Sequence, residues 1–143
     1  MDWRGWTLRP YSQILDRLRA VGLRPTRQRM ALARLLFDNG PRHVTAENLH
    51  AEAMTEGVRV SLATVYNTLH QFTEAGLLRE ITVDAARSYF DTNIAEHHHF
   101  YHEKSGLLED IAGEDVVVSD VPPAPPGTAI QRIDVVIRLT EEA

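Results

Sequence analysis

Four of the chain's seven histidines stand in one short run, Glu96-His97-His98-His99-Phe100-Tyr101-His102. In an extended segment alternate side chains share a face, so His97 and His99 point one way and His98 the other. A His-x-His pair on one face is a two-nitrogen corner for a metal, and neutral imidazole suits iron, manganese, zinc or copper. Haem iron also takes axial histidine, which makes His97, His98 and His99 candidate haem ligands too. Carboxylates stand on either side, Asp91 before the run and Asp110 after it. The chain has no cysteine. Disulfides, thiol redox chemistry and thiolate zinc sites are therefore excluded, and a metal must be held by His, Asp, Glu or backbone. The plainer alternative is a wet, His-rich loop. His50 and His70 fall in helical stretches and read as packing or surface residues.

A second stretch carries different chemistry. Ser61 to Gly76, SLATVYNTLHQFTEAG, reads as one helix capped by Ser61 and stopped by Gly76. Val65, Leu69 and Phe72 line one buried face. The opposite face holds Ala63, Thr64, Asn67, Thr68 and Gln71, short or neutral groups where a solvated face usually has Lys and Glu. Such groups bond phosphates and base edges, and Ala or Thr methyls touch a thymine methyl. This is the chemistry of a recognition helix in a helix-turn-helix, with Ser61, Ala63, Thr64, Tyr66 and Asn67 as candidate DNA contacts; an ordinary packing helix is the alternative.

Charge supports the division. The net charge is −5, but residues 1–93 hold 12 basic and 10 acidic side chains, and residues 94–143 hold 3 and 10. Residues 1–37 alone hold 8 basic and 2 acidic. Basic charge thus gathers in the half that carries the candidate recognition helix. No apolar run approaches the roughly 20 residues of a membrane span, and no hydrophobic leader follows Met1, so the expectation is a cytoplasmic protein with no membrane partner.

The remaining elements place both chemistries. Met1 to Pro10, with Trp3 and Trp6, reads as a loose arm. Tyr11 to Val21 reads as a short helix with Ile14, Leu15, Leu18 and Val21 inward. Thr26 caps a second helix running to about Asn39, with Leu32, Leu35 and Leu36 inward. Arg24, Arg27 and Arg29 cluster at its start, where they could meet phosphates, with Arg24 and Arg27 the foremost, the alternative being a solvated basic face. His43-Val44 leads into a third helix capped by Thr45, with Glu47 in its first turn. After the recognition helix, Leu77 to Val83 and Arg87 to Phe90 alternate around Asp84-Ala85-Ala86, a hairpin or wing with Arg87 near its tip as a further DNA contact or, equally, a solvated charge. This is a winged-helix plan. Asp91 to Ala95 is a linker. Phe100–His102, Leu107–Ile111 and Ile130–Thr140 read as strands, separated by Pro122-Pro123-Ala124-Pro125-Pro126, which forbids a regular helix beyond about one turn. A region of this size is too small to be comfortable alone, which points to a homodimer, as a two-fold DNA site also requires. The class expected is α+β: an N-terminal winged helix-turn-helix over 1–91, a hinge over 92–96, and a small α/β dimerisation domain over 97–143. An enzyme is not expected, because no general base is evident beside an open coordination position.

LRPTRQR at Leu23 to Arg29, HVTAENL at His43 to Leu49, SLATVYNTLHQFTEAGLL from Ser61, and YFDTN followed by HHHF resemble the Fur family of metal-responsive repressors over almost the whole chain. Within it, the cysteine-free HHHFY segment and the Pro-rich connection are most similar to the iron response regulators (Irr) of α-proteobacteria. The resemblance implies a regulatory site of His43, Asp91, His97, His99 and Asp110, a nitrogen and oxygen set fitting Fe²⁺ or Mn²⁺, with Zn²⁺ compatible. It also implies operator binding as a homodimer under low iron and inactivation by haem, the alternative being a repressor activated by Fe²⁺ or Mn²⁺. One departure is plain: the family's two Cys-x-x-Cys pairs are missing, the first replaced by His102 and Ser105, so no structural zinc held by four cysteines is expected.

Overall fold

The computed structural model describes residues 13–142. The expected arm around Trp3 and Trp6 and the start of the first helix at Tyr11 lie outside them. The chain forms two compact units, one ending at Ile94 and the other beginning at Ala95.

The first unit is a helical cluster with a small sheet. Helix α1 runs across 13–20, burying Ile14 and Leu18. Val21, expected inward, falls past its end and is exposed, because Gly22 at φ +78° turns the chain there. Helix α2, Arg27–Phe37, starts where the Thr26 hydroxyl accepts the Arg29 N–H at 3.2 Å. It ends at Phe37 with Asp38 as cap, short of Asn39. Helix α3, Ala46–Thr55, is capped by Thr45, which accepts the Asn48 N–H. Helix α4, Leu62–Glu74, is capped by Ser61, whose hydroxyl accepts the Thr64 N–H at 3.0 Å. Val65, Leu69 and Phe72 are fully buried with Leu32, Leu36 and Leu49 in one core. Gly76 takes φ +82°, a conformation that costs other residues strain, and sends the chain toward the wing. Ser61→Ala is expected to lower stability by about 1 kcal/mol, read as a shifted urea midpoint; an unmoved midpoint would show the cap to be idle.

The wing is β2, Arg79–Asp84, paired antiparallel with β3, Arg87–Asp91. Asp84 closes its turn by accepting the Ala86 N–H at 2.8 Å. A further strand, β1 at His43–Val44, pairs with β3 and gives the order β1-β3-β2. In the sequence these two residues read as a lead-in only; two residues are too few for an alternation to register.

In the second unit β4, His97–His102, is the middle strand of three. β5, Leu108–Ala112, runs antiparallel to it and β6, Val136–Leu139, parallel. The strand expected over Ile130–Thr140 shrinks to these four residues, since the β4 register supplies partners only from His99↔Val136 to His102↔Leu139. Alternation is present beforehand, yet Ile130 and Ile133 are exposed. The proline segment is irregular and ends in a turn where Thr128 N–H meets the Pro125 carbonyl at 3.1 Å. The fold is α+β. Its α-helices lie in the first unit, while the second shows, among the described residues, one 3-10 turn at Gly113–Asp115. No helix among them is long and apolar enough to cross a membrane.

Candidate functional site

Strand geometry builds the histidine group in the second unit. His97 and His99 leave β4 on one face with ring centroids 4.5 Å apart. Asp110, opposite His99 on β5, brings one carboxylate oxygen to 3.5 Å from His97 Nε2 and 3.3 Å from His99 Nε2. His97 Nδ1 lies 2.6 Å from the Ala95 carbonyl. A carbonyl only accepts, so Nδ1 carries the proton, and in the neutral ring Nε2, facing Asp110, then has the lone pair a metal needs. His98 is set the other way. Its Nδ1 accepts the Val135 N–H at 3.1 Å, fastening β4 to the chain entering β6. All three rings are buried, with at most 4% of each residue exposed.

The first unit holds a second donor group. His43 on β1 stands opposite Asp91 on β3, with Nε2 3.2 Å from Asp91 Oδ2. Asp91 Oδ1 accepts the Asn93 N–H at 2.8 Å, which fixes the carboxylate plane. Asp91 is 1% exposed. Each unit therefore presents imidazole nitrogen beside carboxylate oxygen, a donor set that suits Fe²⁺, Mn²⁺ or Zn²⁺. His102, on the other face of β4 from His97 and His99, pairs instead with Glu109 at 3.2 Å. Ser105 accepts the Leu107 N–H at 3.2 Å in the turn between β4 and β5.

The α4 face is narrower than the sequence indicated. Ala63, Tyr66 and Asn67 are exposed and Thr64 half-exposed. Thr68 is buried, its hydroxyl donating to the Thr64 carbonyl at 2.8 Å. Gln71 accepts from Arg29 Nε and a terminal guanidinium nitrogen at 3.3 and 3.0 Å, while Arg29 also donates to the Arg24 carbonyl. Those two residues lock α2 against α4. Arg24, Arg27 and Arg87 are exposed. Two participants were missed from sequence. Glu47 accepts the Tyr66 hydroxyl at 2.7 Å; that bond, with some burial and the carboxylate charge, raises the phenol above the ordinary tyrosine range, so it stays a donor at neutral pH. Arg79, 6% exposed, stands directly opposite Asp91 in the wing. Its local signal, one arginine after two leucines, said nothing of that partner.

A family model described as the ferric uptake regulator family matches residues 20–121, which take in both donor groups and α4. The chain belongs to the ferric uptake regulator family. It is 36% identical over 93 residues to the peroxide-responsive repressor PerR of Staphylococcus epidermidis, across 65% of this chain and 61% of that one. It is 34% identical over 93 residues to the PerR of Staphylococcus aureus strain Mu50, across 65% and 62%. The chain thus matches about three fifths of the length of these curated relatives. Among solved structures, the ferric uptake regulator of Pseudomonas aeruginosa with manganese aligns at TM-score 0.70 and 24% identity, covering 91% of this chain and 98% of that one. The Francisella tularensis regulator with iron aligns at 0.68 and 19%, covering 85% and 93%. At those identities the shared property is the fold.

Proposed function

We propose that this member of the ferric uptake regulator family is a metal-responsive transcriptional repressor that binds duplex operator DNA as a homodimer. The donors for a divalent ion would be His43 and Asp91 in the first unit and His97, His99 and Asp110 in the second, with Fe²⁺ or Mn²⁺ fitting best and Zn²⁺ compatible. The observation that carries the reading is the state of His97: the Ala95 carbonyl fixes its tautomer so that Nε2 is aimed, with that of His99, at the Asp110 carboxylate. Family members solved with manganese and with iron support a divalent ion. Bound, the ion supplies positive charge and a fixed coordination geometry. It regulates only by binding one arrangement of the protein more tightly than another.

On the DNA side, Ala63, Thr64, Tyr66 and Asn67, beside the Ser61 cap, would face the major groove, with Arg24 and Arg27 on phosphates and Arg87 at the wing. A two-fold dimer would set two α4 helices roughly 34 Å apart. Exposed Val117, Val118, Val121, Ile130, Ile133 and Ile137 in the second unit support a second copy as their cover. Replacing Tyr66 and Asn67 together by alanine should weaken DNA binding at least about tenfold, from the roughly 1–3 kcal/mol of a good base contact, with an unmoved thermal midpoint. Unaltered binding would remove α4 as the reader.

The narrower reading, an iron response regulator released by haem at His97, His98 and His99, has less support. A porphyrin needs an open axial face, and these rings are buried, His98 with Nδ1 already engaged. That reading rests on the HHHFY segment and the Pro-rich connection. Peroxide response, for which the staphylococcal relatives are named, would have no cysteine to act through here. The deciding experiment selects duplexes from a random pool, then measures affinity at fixed salt with chelator, with Mn²⁺ and with haem. Binding that needs Mn²⁺ and ignores haem supports the metal-activated repressor. Binding by chelated protein that haem abolishes supports the narrower reading. Selection of no duplex under any condition overturns the DNA-binding proposal.

A further inference from the structure

Strand β3 ends on Asp91, and its register puts a basic or titratable group on each side: His43 across on β1 and Arg79 across on β2. Directly opposed antiparallel residues point to the same face, with Cβ atoms about 4.5–5.5 Å apart. The row His43–Asp91–Arg79 therefore crosses all three strands on one face. Its acid and its guanidinium are both withdrawn from water, at 1% and 6% exposure. Ile81, also buried, follows Arg79 on the same face of β2 and stands opposite Tyr89 in the same register. A guanidinium stays charged at any ordinary pH, and a buried charge is tolerated only beside a compensating one.

We propose that Arg79 is a built-in counter-cation for the first-unit part of the metal site, balancing Asp91 in metal-free protein and holding down its affinity for a divalent ion. The inference rests on the metal-site reading above. A family site that held its ion permanently would gain nothing from a fixed positive charge beside a ligand, since the two cations repel. A site that must fill and empty does gain. The arginine keeps the empty site from leaving a lone buried carboxylate, and it weakens capture of the ion to a range where occupancy can vary. Arg79 is a positioning and charge-setting residue here, not a ligand.

The test uses the full chain, with Mn²⁺ as the probe, and compares Arg79→Met with Arg79→Lys. Methionine keeps bulk and removes charge; lysine keeps charge. Arg79→Met is expected to tighten Mn²⁺ binding at least about tenfold, an order of magnitude set by Coulomb repulsion at this range. It should also lower the thermal midpoint of chelated protein and recover part of that loss when Mn²⁺ is added. Arg79→Lys should stay near wild type in both. Equal or weaker Mn²⁺ binding by Arg79→Met overturns the proposal. If Arg79→Met does not fold, Asp91→Asn is compared with Asp91→Asn/Arg79→Met. Removing the second charge must then restore some of the stability lost with the first, and additive losses overturn the pairing. Failure of wild-type protein to take up Mn²⁺, Fe²⁺ or Zn²⁺ would instead strike the metal-site reading, and the stability comparisons in chelator would still decide the pairing.

Discussion

Replacing His99 by alanine is expected to weaken Mn²⁺ binding by at least about a hundredfold. Loss of a supporting group around a metal already costs roughly 10- to 100-fold, and His99 is proposed as a direct ligand. Its side chain is 1% exposed with Nε2 3.3 Å from Asp110, so no water-facing rotamer can be substituted for it. The backbone of residue 99 still donates to the Val135 carbonyl in the variant, which keeps β4 and the chain entering β6 together. Isothermal titration with Mn²⁺ reads the loss. The neighbouring His98→Ala serves as the contrast: it should leave Mn²⁺ affinity within a few-fold while costing about 1 kcal/mol, because the half-buried Val135 N–H loses its acceptor. Should the two variants behave alike, the division of labour between the two faces of β4 is wrong.

The second large effect is on the fold. Phe72→Ala is expected to cost about 3–5 kcal/mol. Phe72 is fully buried on α4 and lies 6.4 Å from the Phe37 ring at the end of α2. Against a total stability of roughly 5–15 kcal/mol, that loss brings the unit near unfolding. The urea midpoint should fall sharply and DNA binding with it, unlike the Tyr66/Asn67 variant, whose binding falls at constant stability. A small shift for Phe72→Ala would mean that the core re-forms around the gap.

What was legible in the sequence was local. Ser61, Thr45 and Thr26 each precede a helix that repeats apolar residues at three and four, and each caps as those patterns require. Strand alternation gave the shared face of His97 and His99. What depends on distant partners was not legible. Nothing in His43-Val44 announces a strand, because its only support is β3, far along the chain. The alternation before Val136 looks the same as that after it, yet the β4 ladder supplies register partners only from Val136 to Leu139. Thr68 and Gln71 share composition with the exposed face of α4; a carbonyl one turn back takes the first and an arginine on α2 takes the second. Arg79 was missed for the same reason, since a lone arginine in a strand gives no hint of which acid the register will set against it.

The parallel pairing of β4 with β6 also has a bearing on how the molecule comes into being. β4 and β5 are neighbours in sequence and can zip together as soon as both are synthesised. The segment that engages His98 and His99, by contrast, lies beyond residues 103–134, and that whole loop must close before Val135 can reach them. A nascent chain in which β6 is not yet made therefore carries the winged unit and the β4–β5 hairpin, with the histidine strand unlatched on one edge. Any change that delays or weakens β6 acts on the histidine group through this closure, so maturation of the histidine strand waits on a segment that leaves the ribosome after the histidines themselves.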